Sequence, residues 1–235
     1  MKKPEIIIAL DVPNRVLLHQ ALGKLPRECA WIKIGLELFC AEGPAILDAV
    51  GDVPRKIFLD LKLHDIPRTV ERAVEAIRNY PVSLLTLHAS GGEAMLKAAV
   101  SAAAGSNLHL LAVTVLTSLD AADLHRQSIA NTPGQQVENL AALALACGVH
   151  GVVASPREAD TIRRQCGDDF LIVTPGIRPA QADVQDQKRV ATPRDAVLAG
   201  ASHLVIGRPI LEAPDPGAAY LAIQQEIDAA VADRR

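Results

Sequence analysis

The chain carries no excess of positive charge: 24 Lys plus Arg against 27 Asp plus Glu leave a formal net charge of −3 over 235 residues. A protein held mainly by a nucleic-acid backbone needs a basic face to displace counterions, so the charge balance argues against that class as the main partner. Small anionic ligands are not, because they need only a local cluster of cations and N–H groups. Long apolar runs are missing too. The first, residues 6–10, stops at Asp11, short of the roughly 7–15 residues of a secretion-signal core. The richest later stretch, residues 140–154, is interrupted by Cys147, Gly148, His150 and Gly151, so no membrane span is expected. The four cysteines, Cys29, Cys40, Cys147 and Cys166, have neither CxxC spacing nor the density of a disulfide scaffold. They read as thiols of a cytoplasmic protein. No HExxH, GxGxxG or GxxxxGK[ST] pattern occurs, so nothing calls for a metal or a nucleotide cofactor.

What is present is an alternation. Short β-branched or apolar runs occur at residues 5–10, 31–35, 56–61, 83–88, 108–115, 149–154, 170–174 and 203–206. Between them lie stretches with helical spacing, such as 69–78, 94–103, 137–146, 157–165 and 218–231. Eight β-then-α units in 235 residues predict an α/β fold, a (β/α)₈ TIM barrel forming a single domain over 1–235. A doubly wound open sheet is the runner-up. Two connections, 118–136 and 177–192, are long and rich in polar residues, as functional loops often are.

A parallel barrel builds its active site at the C-terminal ends of its strands, and here those ends carry unusual charge. Asp11 follows the first strand, Lys33 lies within the second, Asp60 and Lys62 end the third, and Asp65 lies just beyond. Alternation along IFLDLKLHDIP puts Asp60 and Lys62 on the inward face and the leucines on the outward one. Lys33, inside the apolar run WIKIG, needs a carboxylate, and Asp60 is the nearest in this reading. A buried salt-bridge network that fixes barrel register is the competing explanation for such a pair. Several charges gathered at one rim favour acid–base or electrostatic catalysis. Asp65 could face this site or a neighbouring subunit. Across the rim, TPGIR (Thr174–Arg178) and VIGRP (Val205–Pro209) follow strands seven and eight, where these barrels hold phosphate. Arg208 is the cation best suited to it, with Gly207 allowing close backbone approach. His88 suits a rim contact or a hydrogen-bonded core histidine equally, and His64 receives no role.

These residues resemble the orotidine 5′-phosphate decarboxylase family of bacterial type. The resemblance runs through ALD (Ala9–Asp11), KIGLELF (Lys33–Phe39), FLDLKLHDIPRT (Phe58–Thr69), HASGG (His88–Gly92), AVTVLTS (Ala112–Ser118), VTPGIRP (Val173–Pro179), DQKR (Asp186–Arg189) and VIGRP. It implies a homodimeric barrel enzyme that converts orotidine 5′-monophosphate to uridine 5′-monophosphate and CO₂ without a cofactor, the last step of de novo pyrimidine synthesis. By the same resemblance, Lys33, Asp60, Lys62 and Asp65 match the family's charge network, and Lys62 its proton donor to C6. Asp11 and Lys33 match ribose contacts. Thr117 and Ser118 match the pyrimidine and loop segment, and Arg178, Gln187, Gly207 and Arg208 the phosphate end. Asp65, Ile66 and Thr69 match residues that cross into the partner's site. Mg²⁺-dependent sugar-phosphate decarboxylases and aldolases share DxKxxD but carry an acidic residue where this chain has Lys33, which would repel a divalent cation. A non-catalytic nucleotide-phosphate binding protein is the alternative from another class.

Overall fold

A computed structural model describes residues 3–50, 55–179 and 191–234. Its eight strands close in sequence order into a parallel barrel, each paired with its neighbours and the eighth with the first. The open doubly wound sheet is thereby ruled out. In chain order the elements are β1 (Glu5–Ala9), α1 (Arg15–Lys24), β2 (Trp31–Gly35), α2 (Leu36–Glu42), β3 (Lys56–Leu63), α3 (Pro67–Ile77), β4 (Val82–His88), α4 (Gly92–Ala103) and β5 (His109–Val113). There follow α5 (Ala121–Arg126), α6 (Pro133–Ala146), β6 (Gly151–Val153), α7 (Pro156–Cys166), β7 (Leu171–Thr174), α8 (Pro193–Leu198), β8 (His203–Ile206), α9 (Arg208–Leu211) and α10 (Pro216–Asp233).

Several helices begin earlier than apolar spacing alone predicts. Thr132, Ser155 and Asp215 each cap a helix with a side-chain oxygen that accepts a backbone N–H, and proline occupies the first turn in each case. Residues 118–136, read as one polar loop, contain α5 and the start of α6, each closed by a reciprocal capping box. The ends of the 177–192 connection meet, with Ile177 bridged to Ala191, but most of that segment lies outside the described residues.

Strand alternation divides the apolar residues into two cores. Ile6, Ile8, Ile32, Ile34, Leu85 and Leu204 face outward and pack beneath the helices. Ile7, Ala9, Trp31, Phe58, Leu84, Leu111, Val173 and Val205 fill the barrel interior. The interior plug makes the barrel a packed core rather than a pore, so polar side chains two residues further along β2, β3 and β4 are left at its C-terminal rim. At the opposite end, Glu5 accepts a hydrogen bond from the Trp31 indole at 3.0 Å and lies 3.4 Å from His203 Nε2. The His203 contact holds the Glu5 carboxyl down at about 2, with the Trp31 bond adding to it and burial opposing. All four cysteines are free, and among the described residues no helix is long and apolar enough to cross a membrane.

Candidate active site

Lys33, Asp60 and Lys62 meet at the C-terminal rim, joined by Asp11. Lys33 is 8% exposed, and its Nζ donates to Asp11 Oδ1 at 2.6 Å while lying 3.9 Å from Asp60 Oδ2. Lys62 Nζ donates to the same Asp60 Oδ2 at 2.8 Å. The result is an alternating chain, Asp11–Lys33–Asp60–Lys62, in which each inner charge touches two of opposite sign. This corrects the expectation that Asp60 is the main partner of Lys33: the shorter contact is to Asp11, which lies beyond the end of β1. Ala9 is registered against Lys33, so two residues further along β1 bring Asp11 level with the lysine's outstretched ammonium. Desolvating isolated charges here would cost several kcal/mol each, and the alternation offsets that cost.

Gly35 keeps the space open. A Cβ there would stand 3.1 Å from both Asp11 Oδ1 and Lys33 Nζ. Nothing in the sequence marked this glycine, because the close approach exists only once β1 and β2 are side by side. Thr86 was missed for the same kind of reason. It sits among leucines in β4, fully buried, with its hydroxyl donating to Asp60 Oδ1 at 2.9 Å.

The sharing of one face by Asp60 and Lys62 was expected from regular pleating, but β3 is not regular there. Leu59 pairs with Leu85 and Leu63 with Leu87, so Asp60, Leu61 and Lys62 stand opposite the single residue Thr86. This is a bulge, and Lys62 takes a left-handed backbone at φ 52. The two charges still meet. His88, at the end of β4, is half-buried with its ring 5.3 Å from that of His64. Burial chiefly holds the His88 imidazole below its ordinary range, with its neighbours His64 and Lys62 adding to it and Asp60 opposing.

A cavity of about 540 Å³ opens beside the charge chain, with Asp11 and Lys33 on one side and Gly176, Arg178, Gly207 and Arg208 on the other. A second, of about 190 Å³, shares Lys33, Pro175 and Val205 with it and extends over Asp60, Lys62, Phe58, Val113 and Thr117. The first is lined by the two guanidinium groups and by the Glu212 carboxylate; the second is floored by apolar side chains. Arg178 is 9% exposed, and its Nε is buried with no hydrogen-bond partner among the described residues. Gly207 lies against β1, where a Cβ would come within 3.3 Å of Ala9. Its lack of a side chain therefore serves closure of the barrel between β8 and β1. Arg208 opens α9 directly after it.

Not every expected residue reaches these cavities. Asp65, Ile66 and Thr69 lie on an exposed stretch from the end of β3 into α3, and Ser118 is exposed. Asp65 Oδ1 accepts the Ile66 N–H at 2.7 Å, and among the described residues Asp65 forms no ion pair. Gln187 lies outside the described residues.

Residues 4–223 fit the family described as orotidine 5′-phosphate decarboxylase / HUMPS. The chain belongs to that family. Among its relatives, an orotidine 5′-phosphate decarboxylase of Nitrosococcus oceani is 48% identical over 230 residues, covering 97% of this chain and 99% of the relative. One from Chromohalobacter salexigens is 47% identical over 228 residues, covering 94% and 95%. The crystal structure of orotidine 5′-phosphate decarboxylase from Lactobacillus acidophilus superposes with a TM-score of 0.84 at 40% identity, covering 97% of this chain and all of the other. The likeness to orotidine 5′-phosphate decarboxylases spans nearly the whole chain.

Proposed function

We propose that this protein decarboxylates orotidine 5′-monophosphate to uridine 5′-monophosphate, the closing step of pyrimidine nucleotide synthesis, with no cofactor. The observation that carries the reading is the Lys62 ammonium, held by Asp60 at 2.8 Å, over a small cavity that continues into one ending in Arg178 and Arg208. A pyrimidine fits the smaller cavity and a ribose phosphate the larger one. The C6–carboxylate bond breaks, CO₂ departs, and the electron pair stays on C6, where the ring delocalises it poorly. A fixed ammonium beside C6 stabilises that charge and then delivers its proton to the carbon. Lys62 fills both roles in this scheme. Asp11 and Lys33, locked together at 2.6 Å, take the ribose hydroxyls; Thr117 attends the pyrimidine; Arg178, Gly207 and Arg208 hold the phosphate.

The test is ultraviolet absorbance of orotidine 5′-monophosphate with purified protein in excess EDTA. Conversion to uridine 5′-monophosphate at full rate is the expected result. Absence of conversion, with turnover of a sugar phosphate once Mg²⁺ is restored, would transfer the protein to the metal-dependent branch. Lys33 argues against that branch, since its ammonium sits between Asp11 and Asp60, the carboxylates a divalent cation would use.

The working unit in this reading is a homodimer that shares Asp65. Support comes from Ile66, which is 67% exposed beside it, the highest value among the exposed large apolar side chains of the described residues, and from an Asp65 that pairs with no cation of its own chain among those residues. In the partner's site Asp65 would complete the ring of charges around Lys62, with Ile66 and Thr69 beside it. Mixing Asp65→Ala with Lys62→Ala protein is then expected to restore roughly a quarter of wild-type activity, because each mixed dimer regains one intact site. Two inactive parents that stay inactive after subunit exchange would refute the shared site.

A further inference from the structure

We infer that Thr86 is a positioning residue for the proton-donating lysine, acting through Asp60 and through the backbone of Lys62 itself. Three observations converge on it. The β3–β4 ladder is interrupted between Leu59–Leu85 and Leu63–Leu87, and Thr86 is the one β4 residue that faces the interruption. The Lys62 N–H, left without a ladder carbonyl, donates instead to Thr86 Oγ1 at 2.8 Å. The same hydroxyl gives its proton to Asp60 Oδ1 at 2.9 Å.

A hydroxyl has a single proton to donate, so accepting from Lys62 N–H leaves that proton to be aimed at Asp60. The carboxylate is thereby fixed about its own axis with Oδ2 turned to Lys62 Nζ at 2.8 Å. The other end of the clamp holds Lys62 in a left-handed backbone that non-glycine residues adopt only when their surroundings compensate. Thr86 therefore ties the lysine's main chain and its counter-ion to one atom. With no exposed surface of its own, it reaches the reaction only through these two partners.

This inference rests on the reading of Lys62 as proton donor, and the experiment separates the two. The kcat and KM for orotidine 5′-monophosphate are measured for wild type, Lys62→Ala, Thr86→Val and Thr86→Ser, with thermal unfolding of each. Thr86→Val keeps the shape and removes the hydroxyl. It is expected to lower kcat by on the order of 10- to 100-fold, the range for loss of a hydrogen bond to a charged group, with KM within roughly threefold. Thr86→Ser is expected to recover kcat to within roughly threefold of wild type. If Thr86→Val does not fold, Thr86→Ala is judged by the same figures. A wild-type kcat in the hydroxyl-free variant overturns the inference. So does Thr86→Ser as slow as Thr86→Val, or a loss confined to KM. Those results would leave the decarboxylase reading standing if Lys62→Ala is inactive. A wild-type protein that does not convert the substrate, or an unimpaired Lys62→Ala, overturns both.

Discussion

Replacing Lys62 by alanine is expected to lower kcat for orotidine 5′-monophosphate by on the order of 10⁴-fold or more, because two separate contributions disappear together. General-acid transfer from a positioned side chain supplies roughly 10² to 10⁴. Charge stabilisation at the developing carbanion supplies a further factor on the order of 10². Both exist only as the C6–carboxylate bond breaks, so kcat and kcat/KM should fall by similar factors while the substrate still binds through its phosphate. Steady-state kinetics by ultraviolet absorbance, paired with direct binding of uridine 5′-monophosphate, reads this out. Lys62 also partners a carboxylate whose side chain is only 14% exposed, and stripping one member from such a pair destabilises a fold. An unfolding curve is needed to show that the lost turnover is not lost structure. A Lys62→Ala protein that is folded and turns over normally would remove the central residue of the mechanism.

Truncating Arg208 is expected to produce the second largest effect, and one that depends on the substrate. Arg208→Ala should lower kcat/KM for the 5′-phosphate by on the order of 10³-fold, as expected for one or two charge-assisted contacts to a dianion. For the bare nucleoside the two proteins should agree within roughly threefold, since that substrate has nothing for the guanidinium to hold. The larger cavity sets Arg178 and Arg208 at one end and Lys33 at the other, so binding energy gathered at the phosphate is spent on holding the distant ring against Lys62. Equal losses for both substrates would mean that Arg208 supports the barrel seam near Gly207 and Ala9 rather than the phosphate.

Much of the fold was legible because a period-two apolar strand followed by a period-3.6 helix, repeated eight times, has few ways to bury itself. Boundaries were less legible where a polar cap, such as Thr132 or Asp215, starts a helix ahead of its first apolar residue. The 118–136 stretch was read as loop because α5 is a six-residue helix held by Asp120 and Asp123 rather than by an apolar face. Within the site, Asp60, Lys62 and Arg208 were legible as charges at strand ends, while Arg178 was reached through the family resemblance. Gly35 and Thr86 were not, since each acts on a neighbouring strand and carries no charge to betray it.

The sequence by itself determined the barrel, the inward direction of Lys33 and Asp60, and the gathering of charge at one rim, since alternation and strand order follow from local periodicity. Only the tertiary structure decided that Asp11 is the closer partner of Lys33. It alone decided that β3 bulges at Lys62 and that Thr86 bridges the gap. Those outcomes depend on the register of one strand against the next and on the reach of side chains across it, and register is a property of the closed barrel rather than of any single segment.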